Sequence, residues 1–124
     1  MKHKSFNETQ IYKKGAELLK QYNIYFINIP KIYKEAYCNE TIKDIINIMI
    51  FSYDSYKENS NKETIFKELN KLYRHICIRI RMQEEVGILT KHQMITLSKI
   101  LGELKENLER YENFINNQAA NETS

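Results

Sequence analysis

A chain of 124 residues with a net charge of +3 is long enough for one domain with a core and too short to argue for two. One Pro and three Gly leave few interruptions and favour long helices. The mild charge allows a nucleic-acid partner only through local clustering.

Two cysteines, Cys38 and Cys77, are too few for a disulfide framework and point to reduced thiols in a cytoplasmic protein. The start, MKHKSFNETQ, carries no apolar segment of the signal-peptide kind. The most apolar run, from Ile45 to Tyr53, is far short of the ~20 residues that a membrane span needs.

Ser5 and Glu8 form an S-x-x-E capping box, which predicts a helix start. Behind it Ile11, Gly15, Leu18, Tyr22, Tyr25 and Ile29 recur at steps of four and three, one helical stripe. Pro30 ends this first helix or kinks it, and KIYKEAY is expected as a short or extra helical turn. Asn39 is the expected N-cap of a second helix reaching Lys57. That helix is apolar nearly all round (Ile42, Ile45, Ile46, Ile48, Met49, Ile50, Phe51), so it must be covered on more than one side, by its own domain or by another chain.

The next loop falls at Glu58 and Asn59. Ser60 and Glu63 repeat the capping-box spacing and open a third helix that ends near Gly87, a natural C-terminal glycine. Thr90 and Gln93 start the fourth, in which Met94, Leu97, Leu101, Leu104, Leu108, Tyr111 and Ile115 make a heptad seam. The polar tail, residues 117–124, is expected to fray. These elements predict an all-α fold, a single domain over residues 1–124. It is an up-and-down antiparallel four-helix bundle with helices at about 6–29, 39–57, 61–86 and 91–116.

The segment LYRHICIRIRMQEE, Leu72 to Glu85, alternates apolar and basic residues as a strand would. No turn signal interrupts Glu63 to Glu85, however, and strands rarely exceed about ten residues. Wound as a helix, it places Ile65, Leu69, Leu72, Tyr73, Ile76 and Ile80 on one side and Lys67, Lys71, Arg74, Ile78 and Arg81 on the other. Between Lys67 and Arg81, five basic residues (Lys67, Lys71, Arg74, Arg79, Arg81) face one acid, Glu68, an excess of four charges. Lys13 and Lys20 lie opposite the core stripe of the first helix. A solvated outer face accounts for such a stripe in many bundles. Here few acids are interleaved to neutralise it, and Ile78 sits within it, which suits a protein or RNA contact. Phosphate gains charge-assisted, often bidentate hydrogen bonds from arginines so placed.

No catalytic constellation stands out. His3, His75 and His92 lack metal-ligand spacing, and Asp44 and Asp54 are ten residues apart, unlike the Glu-x-x-His pairs of a di-iron bundle. There is no Gly-rich phosphate loop. The cysteines read as small core residues, and Tyr22, Tyr25, Tyr73 and Tyr111 read as packing. The expectation is a protein that is not an enzyme and holds no metal or cofactor. The heptad seam and the all-round apolar second helix also permit self-association.

Four segments carry a family resemblance: ELLKQYNIYFINIPKIYKEAY, the SYDSYK end of the second helix, LYRHICIRIRMQEEVGILTKHQ and LSKILGELKENLERY. Together, across Ile11 to Phe114, they resemble the accessory variability proteins of diversity-generating retroelements. Those proteins share a superfamily with the four-helix proteins encoded in intervening sequences of 23S ribosomal RNA genes. The resemblance implies a homopentameric barrel of four-helix protomers that binds the element's reverse transcriptase and structured template RNA. Such a protein supports mutagenic, adenine-targeted cDNA synthesis without chemistry of its own.

The family's contacts are largely basic surface residues; Arg74 matches by position, and Arg79 and Arg81 match in type. Tyr111 stands where the family often has Trp, and Lys105-Glu106 where it often has Gly-Arg. The expected interface is therefore Lys67, Lys71, Arg74, Ile78, Arg79 and Arg81, assisted by Lys13 and Lys20. The alternative is a structural or interaction bundle of the ribosomal intervening-sequence type with no polymerase partner.

Overall fold

The computed structural model describes residues 9–57 and 61–123. The box at Ser5 and Glu8, the loop at Glu58 and Asn59, and Ser60 lie outside them. Among the described residues there is no strand. Four long helices carry the structure: α1 (Thr9–Phe26), α2 (Asn39–Lys57), α3 (Lys62–Glu85) and α4 (Lys91–Thr123).

The first helix stops at Phe26, short of the expected Ile29. The chain leaves it through reverse-turn bonds, Asn28 N–H to the Tyr25 carbonyl at 3.2 Å and Ile29 N–H to that of Phe26 at 3.0 Å. Proline disfavours helical geometry in the residue before it, so the break precedes Pro30. Asn39 is not an N-cap. A helical turn, Lys31–Tyr33, and a π-turn, Lys34–Cys38, run straight into α2. Asn39 has helical φ −60° and ψ −38°, and its N–H reaches the Lys34 carbonyl five residues back. Pro30 takes the cap position instead, with φ −58° and ψ 145°. Its carbonyl accepts from Tyr33 and Lys34, both at 3.0 Å. Proline has no N–H to lose there.

The other helix ends follow local chemistry. After α3, Gly87 has φ +85°, and Ile88 N–H bonds the Gln83 carbonyl at 2.8 Å while Gly87 N–H bonds that of Glu84 at 3.1 Å. This is the paired closure that a left-handed glycine permits. At the start of α4, Gln93 N–H donates to the Thr90 hydroxyl and Thr90 N–H to the Gln93 side chain, each at 3.0 Å, the reciprocal box the spacing implies. Helix α4 then runs to Thr123 rather than ending near residue 116. After Gly102 no Gly or Pro interrupts it, and Ala119 and Ala120 are strong helix formers.

Helix α1 packs on α2 and α4, and α3 packs on the same two. The helices thus surround one core in chain order, each antiparallel to its sequence neighbours, a four-helix bundle with α1 and α3 on a diagonal. Ile11, Leu18, Ile45, Ile48, Leu69, Ile76, Ile80, Leu97 and Leu104 fill it, all essentially without solvent contact. Gly15 lets α1 approach α2: a Cβ there would lie 2.8 Å from Met49 Cγ. Lys14 ties α1 to α4 through Glu103 at 2.7 Å. That hydrogen bond holds the Glu103 carboxyl below, and the Lys14 ammonium above, their ordinary titration ranges.

Candidate nucleic-acid interface

Helix α3 builds its outer face as its periodicity requires. Leu69, Leu72, Ile76 and Ile80 are buried, while Lys67, Lys71, Arg74 and Arg81 are exposed on the opposite side. Ile78 is 56% exposed among them. Lys67, Arg74 and Arg81 have no ion pair or hydrogen-bond partner among the described residues. Lys71 approaches Glu68 at 3.7 Å, one turn away and exposed, a pair worth little in water.

Three of the expected residues stand apart from this stripe within the chain. Arg79 does not join the free cations. Its position turns it toward α2, where Nε donates to Asp44 Oδ2 at 3.0 Å. Asp44 is buried, so Arg79 neutralises a carboxylate and holds α3 to α2. Lys13 and Lys20 are exposed on α1, but α1 sits diagonally from α3. Within one chain their outward faces point away from each other, and the two basic surfaces are not brought together.

The face of α3 that meets α4 adds a feature that residue types alone did not announce. Phe66, Asn70, Tyr73 and Arg74 of α3 and Lys105, Leu108, Glu109 and Glu112 of α4 line a groove of about 290 Å³. The Tyr73 hydroxyl donates to the Leu101 carbonyl at 2.9 Å, and the Phe66 ring meets Tyr111 edge-on, centroids 5.9 Å apart. Both rings are therefore fixed. Cys77 lies half-buried nearby, and burial pushes its thiol up.

A buried polar cluster at the level of the π-turn also escaped the sequence reading. Gln83 is 1% exposed. Its carbonyl oxygen accepts from the Tyr22 hydroxyl at 2.6 Å. Its amide donates to Thr41 Oγ1 at 2.9 Å and to the Tyr37 carbonyl at 3.2 Å. Cys38 Sγ lies 4.0 Å from the same Gln83 oxygen. Burial raises both the Tyr22 and Cys38 titrations, so neither group is primed as a base or nucleophile. Gln83 falls three residues after Ile80 on the core stripe, and that phase was the available signal.

Between α1 and α2 a second groove, of about 400 Å³, is apolar: Tyr12, Leu19, Ile46, Met49, Ile50 and Tyr53 line it, with Asp54 at its edge. Among the described residues no group of three or more His, Cys, Asp or Glu side chains is placed to hold a metal ion. Among the described residues no helix is long and apolar enough to cross a membrane. The chain matches no family model, no curated protein and no solved structure.

Proposed function

We propose that this protein is a non-enzymatic accessory factor of a diversity-generating retroelement. It binds structured template RNA and the reverse transcriptase through the outer face of α3 and so supports mutagenic cDNA synthesis in the cytoplasm. The observation that carries the reading is the set of exposed cations without acidic partners, Lys67, Arg74 and Arg81, beside exposed Ile78. A duplex or hairpin backbone supplies the missing anions and releases its counterions in exchange. Ile78 offers apolar contact to the polymerase. Arg79 acts as the brace of this surface, and Lys13 and Lys20 reach the same RNA only from a neighbouring copy in a homopentameric ring. The apolar face of α2 supports such self-association.

Reversing Lys67, Arg74 and Arg81 to Glu tests this. The variant should lose retention of template RNA and of the co-expressed reverse transcriptase while keeping the helical circular-dichroism signal; retention by the folded variant rejects the assignment.

The second reading, a structural bundle of the ribosomal intervening-sequence type without a polymerase partner, draws on the Arg79–Asp44 pair, since that part of the stripe serves the fold. Genome neighbourhood separates the two. A reverse-transcriptase gene and a near-repeat differing at adenines belong to the first, and a ribosomal RNA operon to the second.

A further inference from the structure

We propose that the groove between α3 and α4 is a pocket for one unstacked nucleotide of single-stranded RNA, selecting a base that bears an exocyclic amino group. The inference rests on the RNA-binding reading above and adds base selection to it. The register of the two helices orders the groove chemically. Tyr73 is bonded to Leu101 at one end and Phe66 lies on Tyr111 at the other, so antiparallel α3 and α4 run through it together. By that register Arg74 stands at one end, Lys105 and Asn70 stand level with each other about one turn further on, and Glu109 and Glu112 follow toward the other end.

No ion pair joins any of these four charged groups among the described residues, although Lys105 and Glu109 are one helical turn apart. Exposed opposite charges spread along one groove, with no ion pair between them among the described residues, fit a ligand that is anionic at one end and donor-rich at the other. A nucleotide has that form. Its phosphate meets Arg74 and Lys105. Its base lies over the apolar floor of Phe66, Tyr73 and Leu108, where an immobilised ring is a stacking platform tolerant of base identity. The carboxylates supply the selection. They accept hydrogen bonds from an amino group and repel a carbonyl in the same place, the logic by which Glu reads the amino group of cytosine. They also repel a second phosphate, so the backbone must pass at the cationic end and only a base edge can reach the acids. Asn70, with both donor and acceptor atoms, matches the mixed edge beside that amino group.

Oligocytidine and oligouridine of equal length test this, because they carry the same phosphates and differ only along one base edge, in the 4-amino or 4-carbonyl group and in the N3 acceptor or N3–H donor beside it. Fluorescence anisotropy at fixed salt should show the wild-type protein binding labelled oligocytidine tighter by about fivefold, the low end of what one base-edge interaction discriminates. Glu109→Gln/Glu112→Gln should bind oligouridine more tightly than wild type, because two repelling charges are gone, and should lose most of the preference. Asn70→Ala should reduce the preference without changing helicity. Equal affinity of the wild type for both oligomers, or a preference unchanged in both variants, overturns the pocket while leaving RNA binding by the α3 face intact. Failure of wild type to bind either oligomer or structured RNA removes both readings.

Discussion

Replacing the Gln83 amide by a hydrocarbon takes the acceptor from the buried Tyr22 hydroxyl and the side-chain donor from Thr41 Oγ1 and the Tyr37 carbonyl, which keep only the bond from Thr41 to Tyr37 at 3.3 Å. Burial of groups left without partners costs more than the bonds return when made. Gln83→Leu is nearly the same size, so cavity formation contributes little and the polar loss dominates. The variant should be less stable by about 2–3 kcal/mol in urea denaturation; unchanged stability would mean that water or a shifted Tyr22 replaces the amide. The hub also explains why a polar residue is retained on a core stripe. Its partners come from α1, from the turn leading into α2 and from α2 itself, so only one register of α3 satisfies them.

Arginines spaced along one helix do different work according to the degrees they sit from the core. Arg79 lies on the flank that meets α2 and compensates Asp44, whereas Arg74 has no partner of its own among the described residues. Arg79→Gln should therefore lower stability by about 1 kcal/mol, since a buried carboxylate loses its charge partner while the guanidinium itself is partly solvated. Arg74→Gln should change stability by less than about 0.5 kcal/mol. Equal effects in thermal melts would contradict the division of roles.

At the element scale, much was legible because helix ends announce themselves. Thr90 with Gln93 and the glycine at 87 behave as their spacing requires. The faces of α3 followed from 3.6-residue periodicity. The entry to α2 was not legible, since a π-turn keeps the chain helical past Asn39 and no residue type marks such an insertion. The polar tail predicts fraying, but it holds no Gly or Pro, and α4 continues through it to Thr123. The partnering of Arg79 and the α3–α4 groove depend on which helices neighbour which, and periodicity within one helix does not contain that.

The whole molecule leaves one face of α2 unfinished. Ile45 and Ile48 are buried, yet Ile46 is 40% and Ile50 50% exposed, both against the apolar groove shared with α1. A helix apolar on every side was expected to need cover from more than one direction, and the four-helix bundle covers only part of it. The homopentameric assembly proposed above would close this groove. Ile46→Glu/Ile50→Glu should then convert a species of several chain masses into a monomer in light scattering, with helicity retained. A wild-type protein that is already monomeric at micromolar concentration would remove the assembly from the proposal. The α3 surface is independent of that outcome, because its cations are exposed on a separate helix of the same chain.

Salt dependence of RNA binding interrogates the α3 surface most directly. Wild type is expected to lose affinity for a structured RNA steeply as salt rises. Lys67→Gln/Arg74→Gln/Arg81→Gln should bind more weakly and flatten the slope of log affinity against log salt by about 2–3, from roughly 0.7–0.9 of a released counterion for each of the three cations removed. A triple variant with the wild-type slope and affinity would show that these three charges meet solvent alone and that RNA, if bound, is held elsewhere.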